Sequence, residues 1–362
     1  MKSSLKIQEN VPLAPLTTLK IGGNARYFIR AETDQQVVDG VRFARENDLK
    51  LFIFGGGSNV LISDTGFDGV VLQIAIEGIK TNESQISNFR REIVKDLRSE
   101  TEDSQLITVG AGEDWDGFVK YCVDHELAGV ECLSGIPGFV GGTPVQNVGA
   151  YGQEVADTIV EVRCFDRVGR ESITVSNAEC GFSYRTSIFN STHRERFIVL
   201  GVTFELKKNG APKFVYKDLA ERFADRKPSL SEVREAVSEI RRSKSLVIDP
   251  DDPNSKSAGS FFKNPIVSKE KLDGIKVLFA GAPSFEYGDM FKVPAAWLIE
   301  NSGFHKGFVL GRAGISANHS LALINRGNAT ASDIIVLKER IQEAVGRKFG
   351  IDLLPEPIFI GF

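Results

Sequence analysis

Long apolar runs, paired cysteines and an excess of basic charge are all missing from this chain. No stretch approaches the ~18 to 20 apolar residues of a membrane-spanning helix, and the opening MKSSLKIQEN has a lysine with no apolar run behind it, so a cytoplasmic protein is expected. The four cysteines, Cys122, Cys132, Cys164 and Cys180, are scattered without a CxxC pair. That spacing disfavours a zinc site and a disulfide framework alike; buried free thiols and no metal are expected. A formal net charge of -4 argues against a nucleic-acid or anionic-membrane surface, so any anion site must be local.

Two nucleotide-binding signatures are absent as well. Gly110 and Gly112 in GAGEDW follow a predicted strand, as a dinucleotide fingerprint should, but Trp115 stands where the third glycine belongs. Gly55 to Val60 fails at the same position, and no Walker lysine follows any glycine run. A dinucleotide would have to be held by another fold.

What is present is ordinary soluble composition and two unusual loops. The 362 residues, 42% hydrophobic and 25% charged, suit two domains. The stretch Glu131 to Gly152, ECLSGIPGFVGGTPVQNVGAYG, is rich in glycine and has no basic side chain. Such a run presents peptide N–H groups to an anion such as a pyrophosphate, or else makes a tight connection between buried elements. FGGGSNVL, Phe54 to Leu61, ends the predicted strand Leu51 to Phe54 in a second loop of the same kind. Two such loops suggest a long ligand with a charged middle.

Further strands are expected at Asn24 to Ala31, Gly69 to Ala75, Leu106 to Val109 and Phe197 to Leu206, with a hairpin of Ile159 to Phe165 and Glu171 to Val175 turning at Val168 and Gly169. Helices are expected after Thr33 or Asp34 and over Trp115 to Leu127. Strands outnumber helices here, so the class is α+β. Lys80 to Gln105 is a charged insert in which Ile86, Phe89, Ile93 and Leu97 recur at helical spacing, the pattern of a surface helix. KKNGAP, Lys207 to Pro212, marks a boundary. Beyond it, helices at Leu230 to Ser243, Pro294 to Asn301 and Ser332 to Phe349 dominate, with strands at Leu321 to Ile324 and Ile358 to Ile360.

In order along the chain stand TTLKIGG (Thr17 to Gly23), GGGSN (Gly55 to Asn59), SGIPG with GG and PVQNVGAYG (Ser134 to Gly152), SYRTSIF (Ser183 to Phe189), AGSFFKNP (Ala258 to Pro265) and LLPEP (Leu353 to Pro357). This ordered set closely resembles the UDP-N-acetylenolpyruvoylglucosamine reductases, flavoenzymes of peptidoglycan precursor synthesis. The resemblance implies an α+β, p-cresol methylhydroxylase-type FAD-binding domain over 1–209, including the insert at 80–105. It also implies a smaller α+β substrate-binding domain over 210–350 and a C-terminal segment, 351–362, returning to the active site. FAD is implied to be held without a covalent bond, since no histidine or cysteine lies in GGGSN, and NADPH to be the hydride donor. A nucleotide sugar is the implied substrate, with a monomer expected and no nucleic-acid or membrane partner.

The implied FAD contacts are Gly55, Gly56, Gly57, Ser58 and Asn59 in one loop, and Ser134, Ile136, Pro137, Gly138, Gly142, Thr143, Gln146, Asn147 and Gly149 in the other. Reduction of an enolpyruvyl group builds charge next to a carboxylate and requires a proton at carbon. Arg185 matches the family's catalytic arginine, and its permanently charged fork suits a carboxylate gaining charge. Ser260 matches the proton donor and Glu356 the third active-site residue. Outside these motifs they would be read as a surface ion pair, a turn serine and a solvated charge. Tyr151, Tyr184, Tyr216, Lys244, Asn264 and His319 are the implied substrate contacts, Tyr216 on a loop of the family's longer subgroup. His125, His193 and His305 match nothing and are read as structural or exposed. An oxidase on the same scaffold, or a regulator that binds without turnover, are the competing readings, and the joint presence of Arg185, Ser260 and Glu356 weighs against the second.

Overall fold

The computed structural model describes residues 5–81, 103–224 and 226–362. Its contacts divide the chain into two compact units. The first comprises Tyr27–Gly56, Gly69–Arg241 and the residues up to Gln8; the second comprises Glu9–Arg26, Gly57–Asp68 and Arg242–Phe362.

The first unit is built on a six-stranded sheet whose strands follow the order Glu171–Ser176, Ile159–Asp166, Phe197–Lys208, Ser104–Gly110 and Ile79–Thr81, with Leu127–Ala128 pairing on Phe197–Lys208. All its pairings are antiparallel. Phe197–Lys208 is central and nearly continuous in buried residues, which explains an unbroken apolar run instead of alternation. Helix Trp115–Asp124 packs its apolar side inward, and the rings of Phe118 and Phe204 lie 5.0 Å apart, with Trp115 5.8 and 6.0 Å from them. Asp114 caps this helix by accepting from the Gly117 amide at 2.8 Å. The parallel strands Lys50–Phe54 and Phe67–Ile74 flank GGGSN, and helix Asp34–Glu46, which Thr33 caps, leads from strand Asn24–Ala31 into Lys50–Phe54.

Residues 210–241 group by contact with the first unit. The physical reason is a small apolar cluster. Leu219, Phe223, Val233, Ala236 and Val237 pack with Cys132 of the glycine-rich stretch, so helix Leu230–Ser243 sits on that stretch.

In the second unit, helix Ala331–Phe349 buries Ile334, Leu337, Ile341 and Val345 in a core that includes Phe261, Phe262, Leu298 and Ile299. Thr330 and Asp333 form a capping box, and the Asp64 carboxylate accepts from the Ala331 amide at 2.7 Å. Helices were expected to dominate here. Instead two three-stranded antiparallel sheets and the parallel pair Val60–Ile62 with Ile358–Ile360 share the unit. Their strands are only two or three residues long, too short for any periodicity to register.

The expected surface helix of the insert lies outside the described residues over 82–102; its flanks, Ile79–Thr81 and Ser104–Gly110, are paired strands. All four cysteines are buried and free. Burial, then the neighbouring Glu179 charge, pushes the Cys180 thiol up to about 12, and burial raises the other three further. Among the described residues no group of carboxylate, histidine and cysteine side chains could hold a metal ion. No helix among them is long and apolar enough to cross a membrane.

Candidate active site

In the first unit the stretch Glu131 to Gly152 is the hub on which four other segments close. GAGEDW lies along its first half. Gly141 donates its amide to the Ala111 carbonyl at 2.9 Å, Val140 to Glu113 at 2.9 Å, and Trp115 to Gly138 at 3.0 Å. The Trp115 indole donates to the Leu133 carbonyl at 3.1 Å. The glycines of GAGEDW therefore serve packing, since a Cβ on Gly112 would lie 2.3 Å from Ala75 Cα and one on Gly110 2.2 Å from the Ile76 oxygen. Trp115, which excluded a dinucleotide fingerprint, is a structural part of the loop it faces.

The two glycine runs meet. A Cβ on Gly56 would come within 2.8 Å of Gly138 Cα, so only glycine lets these backbones touch. A Cβ on Gly55 or Gly142 would meet no protein atom within 4 Å. Among the described residues, the amides of Gly56, Ile136 and Gly138 donate to no protein acceptor. Neutral, uncommitted N–H groups on closely approaching glycine backbones are the donor set that a diphosphate needs where no cation is at hand. The residues present therefore fit FAD. Cys132, buried with its thiol raised by burial and by the Glu131 charge, offers no covalent attachment point.

Several expected FAD contacts turn their side chains inward. The Ser134 hydroxyl donates to the Glu131 carbonyl at 2.6 Å and the Thr143 hydroxyl to Val140 at 2.8 Å. Asn147 spends both amide protons on Glu154 at 2.7 Å and the Ser183 carbonyl at 3.2 Å, and accepts from the Ala156 amide at 3.1 Å. The backbone amides of Ser134 and Thr143 are engaged as well, by the Glu131 carbonyl at 3.4 Å and the Val140 carbonyl at 3.0 Å.

SYRTSIF is sewn to PVQNVGAYG by three bonds two residues apart. Ser187 donates to the Val145 carbonyl at 2.7 Å, Asn147 to Ser183, and Arg185 to the Gly149 carbonyl at 2.7 Å. Arg185 sits at φ 54, a left-handed conformation unusual for a long side chain, and its guanidinium lies 5.3 Å from the Tyr184 ring centre. Tyr151 shares the left-handed conformation at φ 52. Its ring meets that of Tyr216 edge to face at 5.0 Å, and buried Arg241 donates to its hydroxyl. Gly152 permits this approach, because a Cβ there would lie 2.5 Å from a Val215 methyl.

Sequence reasoning missed the anchor of that segment. Fully buried Glu131 accepts from the Gly129 amide at 2.7 Å, from Gln153 at 2.7 Å and from the Lys213 amide at 3.2 Å, while Gln153 donates to the Lys213 carbonyl at 3.2 Å. A glutamate next to a glycine run was the one available signal, and it reads equally as surface charge.

The second unit has its own junction, centred on buried Phe261. The Phe261 amide donates to the Leu321 carbonyl at 2.8 Å and its carbonyl accepts from the Glu356 amide at 2.9 Å. Lys263 donates to the Leu354 carbonyl at 2.9 Å. Ser260 and Glu356 thus stand on adjacent paired segments, with His319 two residues from Leu321. Asn59 joins them: its amide nitrogen donates to the Glu356 carbonyl at 3.3 Å and its carbonyl accepts from Ile358 at 3.0 Å. His319 Nδ1 accepts from the Leu321 amide at 3.1 Å, which places the proton of the neutral ring on Nε2. Next to Lys244, Ser245 accepts from Asn318 at 2.8 Å. Asn264 uses its carbonyl oxygen on the Ala295 amide at 2.9 Å, opening helix Ala295–Glu300.

Residues 25–173 match the family model described as an FAD binding domain, and 251–360 match the C-terminal domain of UDP-N-acetylenolpyruvoylglucosamine reductase. A protein of that name from Thermobifida fusca is 43% identical over 365 residues, covering 97% of each chain. One from Streptomyces coelicolor is 42% identical, covering 97% of this chain and 90% of that one. The crystal structure of UDP-N-acetylenolpyruvylglucosamine reductase from Thermus caldophilus is similar in fold, with a TM-score of 0.64 at 24% identity over 98% of this chain and 99% of that one. With its two matched domains, its near full-length identity to curated members and both glycine loops in place, the chain belongs to the UDP-N-acetylenolpyruvoylglucosamine reductase family.

Proposed function

We propose that the protein reduces the enolpyruvyl group of UDP-N-acetylglucosamine enolpyruvate to UDP-N-acetylmuramate, a step of peptidoglycan precursor synthesis. NADPH is the reductant. Bound FAD supplies a hydride carrier between the two substrates. The observation that carries the reading is the family identity along the whole length of the chain, with Arg185, Ser260 and Glu356 each in its motif.

The protein's own groups have separable tasks. Backbone amides of Gly56, Ile136 and Gly138 hold the cofactor diphosphate, with Gly55, Gly57, Ser58, Asn59 and the remaining loop residues around it. Arg185, already oriented by Gly149, neutralises the substrate carboxylate as charge builds next to it. Ser260 delivers the proton to carbon. Glu356, its backbone fixed by Phe261 and Asn59, orients or replenishes that proton. Tyr151, Tyr184, Tyr216, Lys244, Asn264 and His319 serve the nucleotide sugar. The protein acts as a cytoplasmic monomer with no nucleic-acid partner, its monomeric state readable from its sedimentation.

The test is anaerobic. NADPH should bleach the bound flavin, and the enolpyruvyl nucleotide sugar should then restore its colour in one fast phase. Restoration by oxygen alone, with no response to the nucleotide sugar, would move the protein to the oxidases.

A further inference from the structure

Among the bonds that tie residues 110–116 to the glycine-rich loop, one differs in kind. Asp116 accepts from the Gly135 amide at 2.6 Å, and the same carboxylate receives both arms of Arg234, at 2.7 and 2.8 Å. The other contacts are backbone pairs and the Trp115 indole. Arg234 lies on helix Leu230–Ser243, the helix packed on Cys132.

Gly135 is left-handed at φ 71, so the orientation of the Ser134–Gly135 peptide is not set by ordinary backbone preference. The Asp116 bond fixes it. By engaging the Gly135 amide it also leaves Ile136 and Gly138 as the uncommitted donors of this turn. The carboxylate is well suited to the task. Burial alone would raise its pKa, but the hydrogen bonds from Arg234 and Gly135 and the nearby Arg241 charge hold it below the usual range, so it stays an ionised acceptor at neutral pH. Arg234, in turn, contributes direction: a bidentate fork leaves the carboxylate one orientation.

We propose that Asp116, held by Arg234, is a positioning residue for FAD, which fixes the SGIPG turn so that its free amides are arranged before the cofactor arrives. This rests on the flavin reading, and preorganisation of this kind acts on affinity because the ordering cost is met in advance. It assigns to helix Leu230–Ser243 a part in cofactor binding.

The test titrates FAD into full-length apoprotein and follows flavin fluorescence, with apoprotein Tm measured alongside. Asp116→Ala should raise the FAD Kd on the order of ten- to a hundredfold, the value of one charge-assisted hydrogen bond. Asp116→Asn, which retains an oxygen for Gly135, should recover part of that loss, and Arg234→Gln should weaken FAD while leaving Asp116 in place. Val119→Ala is the control: Val119 is fully buried on the same helix as Asp116 and makes none of these bonds. At a similar loss of Tm it should hold FAD within about twofold of the parent. An Asp116→Ala protein that keeps parental affinity, or a Val119→Ala protein that loses as much, overturns the proposal. If Asp116→Ala does not fold, Asp116→Asn and Arg234→Gln decide, and unchanged affinity in both overturns it. A parent chain that takes up no FAD removes the flavin reading itself, which separates the two failures.

Discussion

Each unit contains a place where irregular segments are laced together by backbone hydrogen bonds, and the two differ in what the lacing engages. Around SGIPGFVGG the lacing joins the loop to GAGEDW, the hydroxyls of Ser134 and Thr143 are turned inward, and the amides of Ile136 and Gly138 donate to no protein acceptor among the described residues. Around Phe261 the backbone is engaged, by Leu321 on one side and Glu356 on the other, and the segments so held carry Ser260, Glu356 and His319. Under the proposed function, the first segment offers its backbone to an anion and the second holds reactive side chains still.

Ser260→Ala is the sharpest way to press that contrast. It alters no lacing bond, so FAD uptake and flavin reduction by NADPH should match the parent, while stopped-flow reoxidation by the enolpyruvyl nucleotide sugar slows by ~10² to 10⁴. Parental reoxidation would remove the second junction from the chemistry. Next in size is Gly112→Ala. Its new methyl would enter the Ala75 backbone, 2.3 Å away, and should cost about 3 kcal/mol or more of stability, seen as a large drop in Tm and in FAD content. A stable, yellow Gly112→Ala protein would break the packing account of that glycine.

A smaller effect tests whether the sheet and the loop are independent. Arg196 donates to Asp166 at 2.7 Å and, with burial opposing, holds its carboxyl at about 2. The folded pKa is lower than the unfolded value near 4, so this stabilisation is complete above about pH 4 and disappears as pH falls through about 2. Asp166→Asn should therefore lower Tm at pH 5 to 7, converge with the parent near pH 2, and leave FAD affinity at neutral pH unchanged. Smallest is Gly142→Ala, whose methyl meets nothing; stability should move by no more than about 0.5 kcal/mol. A large loss of stability there would show that openness is a poor guide to which glycines the ligand needs.

Much of the first unit could be read in advance because its signals are strong and local. Phe197–Lys208 announces itself as an apolar run, and helix Leu230–Ser243 falls within its expected bounds because its apolar stripe begins directly after a capping serine. Three things resist such reading. Of the second unit's strands, Ile358–Ile360 falls at its expected bounds and Leu323–Asn325 overlaps its expected place, while the others hold too few residues to show a period. The allegiance of 210–241 depends on the contact with Cys132, which no local pattern reveals. In the hairpin turn the left-handed residue is Arg170, φ 58, and not the adjacent Gly169, since the Arg170 amide closes on the Asp166 carbonyl at 2.7 Å. At the site, the motifs named the loops but not their supports. Trp115, Asp116 and Gln153 are ordinary residues whose roles arise only from where the chain returns.

The four cysteines have a practical consequence. Each thiol is sheltered and stays protonated at neutral pH, and it is the thiolate that reacts with maleimides. The natural background is therefore silent to such reagents in the folded protein. A single cysteine placed at Val168, 74% exposed at the tip of its hairpin, would take a fluorescent dye cleanly, without stripping the interior of its own sulfur.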